Sequence, residues 1–296
     1  MRTPTLKQLQ YFLALTETEH FGQAADQCFV SQSAFSNAIR ELETSLGSQL
    51  VDRTNRNVTI TATGQEVAVQ ARLVARDMDS LIEIARGRTE PLAGPLRLGV
   101  IPTIAPFVLP GALPRLRTQY PDLELLLAED QTERIYHRLM HGQLDLLLLA
   151  LPWPMRGVEE MPLFKDKFCL ACRDGTDRVD PENYRYNRLD SDSILLLEDG
   201  HCLRDHALAA CRLRDTEKVR RFGASSLLTL IEMVDADLGI TYLPEMARDS
   251  ALLRNTSVKL WPISERSYRT IGLVWRKGSR RAAEFRLLGK FLRDQA

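Results

Sequence analysis

Long apolar runs are missing from this chain: the longest, such as LDLLLLALPW from Leu144 to Trp153, fall well short of the roughly 18 residues a bilayer-spanning helix needs, so no membrane partner is expected. A disulfide framework is missing too. Five cysteines, an odd number at irregular spacing in 296 residues, exclude a small stapled scaffold. With no amino-terminal secretion pattern they point to a reducing, cytoplasmic setting. Net charge is absent, with 39 Lys and Arg against 39 Asp and Glu, and the first 90 residues hold 9 basic against 11 acidic side chains. Bulk charge therefore advertises no nucleic-acid partner. Neither a fixed-period repeat nor a low-complexity tract is visible, which leaves a globular chain long enough for two domains.

What is present begins with amphipathic helices. In TLKQLQYFLALTET, Leu6, Leu9, Phe12 and Leu13 recur at three- and four-residue steps, the apolar stripe of a helix. A second helix is predicted from about Phe21 through GQAADQCF, with Cys28 on its buried face, and a tight turn follows. A third opens at Ser31, a good N-cap, with Phe35, Ala38, Ile39 and Leu42 as its buried stripe. GSQLVDRTNRNVTITATG then changes to alternation around Asn55, which predicts a two-stranded wing. Helix, helix-turn-helix and wing is an arrangement that reads duplex DNA from the major groove. Gln32, Ser33, Ser36, Asn37 and Arg40 fall opposite the buried stripe and are the candidates for base edges and phosphates. Arg53 and Arg56 near the wing are placed to hold the DNA backbone.

From Thr63 to about Arg88 one long helix is predicted. Val67, Ala71, Val74, Met78, Leu81 and Ala85 step by four, three, four, three and four residues, a coiled-coil seam that asks for a partner helix. Pro91, Gly94 and Pro95 form a hinge. Beyond it LRLGVIP, FVLPGALPRLRTQYP, LELLLAE, TERIYHRLMHGQLD and LLLLAL alternate strand and helix patterns, the order of a parallel sheet with helices on both faces. Further strands are expected at KFCLACR and SILLLED, and RTIGLVWR reads as a returning strand. Cys169 and Cys172 lie three apart in a strand, hence on opposite faces, and read as structural thiols.

The stretch AADQCFVSQSAFSNAIRELETSLGSQLVDRT resembles the amino-terminal motif of the LysR-type transcriptional regulators, and the resemblance covers essentially the whole chain. It implies an α/β, multidomain protein: a winged helix-turn-helix DNA-binding domain over 1–62, a linker and dimerisation helix over 63–90, and a two-lobed, periplasmic-binding-protein-like (type 2) regulatory domain over 91–296. Lobe I would comprise about 91–165 and 268–296, and lobe II about 166–267. The resemblance further implies a regulator, not an enzyme, that binds promoter DNA, works with RNA polymerase and assembles as homodimers and homotetramers. Ser33 departs from the proline common in relatives, which removes some pre-organisation of the first helical turn.

In LEDGHCLRDHALAAC, Leu197 to Cys211, two cysteines lie nine residues apart among good helix formers, after a turn at Asp199 and Gly200. A continuous helix would hold their Cα atoms roughly 13 Å apart, beyond the about 7 Å a disulfide tolerates. Bonding them requires the local backbone to be rebuilt. Cys202, near the helix N-terminus and flanked by His201 and Arg204, is expected to have its thiolate favoured and to be the better nucleophile, with Cys211 as the resolving thiol. Two ordinary buried cysteines, with His201 capping a turn, fit the same spacing equally well.

LLEDGHCLRDHALAAC is also very similar to the sensing segment of the peroxide-responsive members of the family, and GVIPTIAP, QTERI and RTIGLVWR resemble their other sensor motifs. The resemblance implies that Cys202 attacks hydrogen peroxide and Cys211 closes a reversible disulfide. Thr103, Thr132, His201, Asp205 and Arg269 would form the peroxide pocket, hydroxyls holding the ligand and a cation stabilising the developing charge. A thiol reductant such as glutaredoxin or thioredoxin would reset the switch, and no cofactor or metal is implied. Three other readings remain open: a thiol peroxidase, a metal-responsive regulator using Cys202, His206, His201 and Cys211, and a LysR-type regulator that answers a small organic effector in the cleft between lobes.

Overall fold

Helix α1 (Leu6–Thr18) begins at Thr5, whose hydroxyl accepts from the Gln8 amide while the Gln8 side chain accepts from the Thr5 amide. This reciprocal cap satisfies two N–H groups that the helix itself leaves orphaned. Helices α2 (Phe21–Gln27) and α3 (Gln32–Leu46) follow, and the Ser31 hydroxyl caps α3 by accepting from the Ala34 amide at 3.3 Å. Helix α3 stops at Gly47, whose φ of 67° lies in the left-handed region that favours glycine. Phe35, Ile39 and Leu42 are fully buried, and Phe35 stacks on Tyr11 at 5.2 Å and meets Phe21 edge-on at 6.0 Å. The wing is the antiparallel pair β1 (Val51–Arg53) and β2 (Val58–Ile60). The Glu43 carboxylate ties its start to α3 by accepting from the Leu50 and Val51 amides.

The structure, a computed structural model, describes residues 3–53, 58–85, 91–210, 216–220 and 223–294. It comprises two units, Met1–Glu90 with Met140–Gln143, and Pro91–Leu139 with Leu144–Ala296. Helix α4 (Ala62–Ala85) completes the first unit. The seam expected along it is divided. Val67 packs on the core of α1 to α3 and Ala71 is buried, whereas Val74, Leu81 and Ala85 are exposed and Met78 is half-buried. The first two seam residues are thus consumed inside the unit, where α4 lies on α1. Cys28, expected in the core, is half-buried because it falls at the C-cap of α2 rather than within its inner face. Arg56 lies outside the described residues.

The second unit opens with β3 (Gly94–Val100), α5 (Ala105–Gln119), β4 (Leu123–Glu129), α6 (Thr132–Met140) and β5 (Leu146–Leu151), and β3 pairs in parallel with both β4 and β5. Strand β6 (Val158–Arg173), α7 (Cys202–Ala210), α8 (Leu227–Asp235), β7 (Thr241–Pro244), β8 (Val258–Pro262), β9 (Tyr268–Arg276) and α9 (Ala282–Arg293) follow. The sheet is mixed, not parallel as the alternation suggested. Its order is β4-β3-β5-β9-β6-β7, with β8 also on β6. Strand β9 returns from near the chain's end to lie antiparallel between β5 and β6, and β6 is antiparallel to β7 and β8. SILLLED, read as a strand, is a buried segment whose Ile194 and Leu197 make isolated bridges to Val219, Ile240 and Ala224.

Two apolar cores fill this unit. One gathers Val100, Leu146, Leu148, Ile271, Leu273 and Phe285, and the other Leu170, Ile194, Leu196, Ile231, Val234 and Tyr242. The 16-residue β6 serves both, with Leu163 in the first and Phe168 to Cys172 in the second. Helix α7 also straddles them: Cys202 belongs to the first core, Leu203 and Ala207 to the second. Among the described residues no helix is long and apolar enough to cross a membrane.

Candidate functional site: a buried thiol beside a buried arginine

Arg269, at the start of β9, organises the site. Its Nε donates to Asp166 Oδ2 at 2.9 Å, its Nη1 to the Thr103 hydroxyl at 3.1 Å and its Nη2 to the Thr103 carbonyl at 2.8 Å. Arg269 and Thr103 are each 1% exposed, so a guanidinium sits in the interior with its charge answered by one carboxylate. Burial pushes the Asp166 carboxyl up, against the pull of Arg269 and of the Met246 amide that also donates to it. Thr103 follows the carboxyl end of β3, and Thr132 opens α6 just beyond β4. Sites in open α/β sheets collect at these strand ends, where successive loops diverge.

Cys202 opens α7 beside them and is 5% exposed. Burial pushes its thiol up, and the Thr132 hydroxyl and the Arg269 charge pull the other way. This corrects the expectation of a favoured thiolate. The helix N-terminus is buried against the first core, and Arg204 spends its charge elsewhere, pairing with Asp199 at 3.0 Å and donating to the Leu197 carbonyl at 3.2 Å. The Thr132 hydroxyl oxygen is buried and makes no full hydrogen bond, only a looser approach to the Cys202 thiol. An unmet hydroxyl next to a buried sulfur is an opening for a small polar ligand.

Of the pocket residues expected from the sequence, Thr103, Thr132, Cys202 and Arg269 converge. His201 is buried at the turn before α7, and Asp205 is exposed, its charge opposing the Cys202 thiolate. Cys211 lies outside the described residues. Sequence reasoning missed Asp166, an isolated carboxylate that carries no motif. It also gave His206 no place in the pocket, although His206 stands one turn after Cys202 on α7, a spacing that puts two side chains on one helix face. Its Nε2 lies 3.1 Å from the Pro152 carbonyl oxygen. Among the described residues no three His, Cys, Asp or Glu side chains form a group able to hold a metal. A cavity of about 530 Å³ opens elsewhere, bordered by Asp192, Arg204, Leu208, Glu217 and Arg220, all within the stretch expected as lobe II and not between lobes. Cys169 and Cys172 are both buried in β6, and burial carries the Cys172 thiol to about 11.

On α3, Gln32, Ser33, Asn37 and Arg40 are exposed and Ser36 half-buried, whereas Phe35, Ile39 and Leu42 are buried. Arg53 ends β1; nothing is described of its side chain.

Residues 6–65 match the family model described as bacterial regulatory helix-turn-helix protein, lysR family, and residues 89–296 match the LysR substrate binding domain. This chain belongs to the LysR family of transcriptional regulators. It is 42% identical over 283 residues to the HTH-type transcriptional regulator EstR of Acinetobacter baylyi, covering 95% of this chain and 94% of that protein. It is 39% identical over 288 residues to the hydrogen peroxide-inducible genes activator of Escherichia coli O6:H1, covering 97% and 94%. A full-length OxyR variant from Pseudomonas aeruginosa superposes with a TM-score of 0.78 at 31% identity, covering 99% and 96%.

Proposed function

We propose that this regulator senses hydrogen peroxide through reversible formation of a Cys202–Cys211 disulfide and activates oxidative-stress defence genes. The observation that carries the reading is the buried Cys202 thiol, acted on by both the Thr132 hydroxyl and the Arg269 cation. Peroxide needs hydrogen-bond partners and a charge to stabilise its departing oxygen. Thr132 and Thr103 supply the first and Arg269 the second. The sulfenic acid formed on Cys202 is then captured by Cys211.

Capture cannot occur while α7 is intact. Eight helical steps set the Cα of Ala210 about 12 Å from that of Cys202. One more Cα step of about 3.8 Å does not bring the next residue within the about 7 Å a disulfide tolerates. Oxidation therefore unwinds α7. DNA contact falls to Gln32, Ser33, Ser36, Asn37 and Arg40 on α3, with Arg53 and Arg56 at the wing. The exposed Val74, Leu81 and Ala85, continued by Met78, supply a dimerisation seam. RNA polymerase is the downstream partner, a glutaredoxin or thioredoxin the reductant, and a reducing cytoplasm the setting.

An organic effector in the cleft between lobes is the competing reading, favoured by the match of residues 89–296 to the LysR substrate binding domain. Brief peroxide treatment, immediate thiol blocking and peptide mass spectrometry separate the two. A linked Cys202–Cys211 peptide, and loss of peroxide-dependent transcription in Cys202→Ser, are expected; a Cys202→Ser chain that still activates on peroxide sinks the proposal.

A further inference from the structure

We propose that His206 relays the proton of the Cys202 thiol to the departing oxygen of hydrogen peroxide. The inference rests on the peroxide reading above and assigns a residue that reading leaves idle. His206 follows Cys202 by four positions on α7, which sets their Cβ atoms about 5–6 Å apart on one face. Helical side chains lean back over the preceding turn, so the His206 ring tilts toward Cys202. Its Nε2 is 3.1 Å from the Pro152 carbonyl oxygen. A carbonyl only accepts, so the proton of the neutral ring resides on Nε2 and a lone pair is left on Nδ1. That Nδ1 is buried and has no hydrogen-bond partner.

Cys202 and His206 both feel the charge of Arg269 on β9. The charged groups acting on the ring are Arg269, itself paired with Asp166 of β6, and Asp205 of its own helix. Burial first, and Arg269 next among the lowering influences, hold the imidazole below its usual value, against the Pro152 carbonyl and Asp205. The ring is neutral at rest and keeps an acquired proton only weakly, which suits a relay rather than a store. The other acids do not compete: Asp166 is committed to Arg269 and the Met246 amide, and Asp205 is exposed. A thiol pushed up by burial needs such an acceptor, since little of it is ionised at neutral pH.

The step balances without another reactant. As the thiol proton passes to Nδ1, the sulfur pair attacks the near oxygen of peroxide. The S–O bond forms, the O–O bond breaks, and its electron pair leaves on the far oxygen. That oxygen takes the proton from Nδ1 and departs as water. Cys202 is oxidised by two electrons to the sulfenic acid, peroxide is reduced, and His206 ends as it began.

The test uses the full chain carrying Cys211→Ser, so that only the first step is seen. Sulfenic acid at Cys202 is trapped with dimedone after rapid mixing with peroxide, across about pH 5 to 9. Gln at position 206 keeps an N–H for the Pro152 carbonyl but cannot carry a proton. His206→Gln should therefore react about 100-fold more slowly at neutral pH and lose the low-pH inflection of the rate. In the chain that retains His206, that inflection should coincide with the imidazole titration followed by NMR. A folded His206→Gln chain with unchanged rate and pH profile overturns the relay while leaving peroxide sensing intact. If the variant does not fold, an inflection that fails to track the His206 titration overturns it instead. A chain whose Cys202 does not react with peroxide at all overturns both proposals.

Discussion

Arg269 donates to oxygens on a strand and a loop that lie 103 and 166 positions away, and among the described residues it is the cation paired with Asp166. Removing it leaves that carboxylate buried with, among the described residues, only the Met246 amide donating to it and no cation beside it, a change that costs about 3–5 kcal/mol. Arg269→Met should therefore lower the stability of the second unit by about that amount. All three tryptophans, Trp153, Trp261 and Trp275, lie in that unit, so urea unfolding followed by their fluorescence reads it alone. A loss under about 1 kcal/mol would mean water reaches Asp166. The thiols carry the second prediction at this scale. Burial holds Cys202 and Cys172 above the ordinary thiol value, Cys172 at about 11. Between about 8.5 and the folded value the unfolded chain has released a proton that the folded chain keeps, so stability is full below about pH 8.5 and falls as pH rises further. Peptide-resolved iodoacetamide labelling should show Cys172 inflecting near 11 and Cys202 above a free cysteine. A Cys202 inflection at or below the free value contradicts its burial. Asp166 and the raised Cys202 were not legible in the sequence for the same reason: both depend on partners and burial supplied by distant segments.

Helix α3 is the element whose sequence and structure agree most closely. Its cap, its stripe and its exposed face all follow from a 3.6-residue period and one serine, which are local quantities. Ser31→Ala should cost about 1 kcal/mol of local stability, seen as roughly fivefold faster hydrogen exchange at the α3 amides; unchanged exchange would show that the wing contacts alone hold the helix. Arg40→Ala should weaken promoter binding and lower the salt dependence by about one phosphate contact. An unaltered salt slope would remove Arg40 from the interface. Helix α7 was equally legible, beginning at Cys202 and running to Ala210 as the composition suggested. The direction of β9 was not. Alternation identifies a strand but not the neighbour it pairs with, and β9 finds its place between β5 and β6 only after the rest of the sheet exists. The seam on α4 was half legible: the apolar steps are real, but periodicity cannot tell that Val67 packs on the first unit's core and Ala71 is buried.

At the scale of the whole molecule the exposed part of α4 carries the assembly prediction. Leu81 is 58% exposed and Val74 46% exposed, large apolar side chains with no cover in the single chain. Leu81→Asp should shift a dimer toward monomer in sedimentation velocity and weaken promoter binding with it, because one reading head alone loses the paired half-site. A variant that sediments as the parent does would move the seam elsewhere. The position of α7 across two cores has a different consequence. In the proposed switch, opening the helix would take from Leu203 burial worth about 1.5–3 kcal/mol, and the sulfur–sulfur link would have to hold it out. Once a reductant cut that link, the leucine would return without further input. Such a device would be wound by oxidant and released by reductant, a latch with its return spring already fitted.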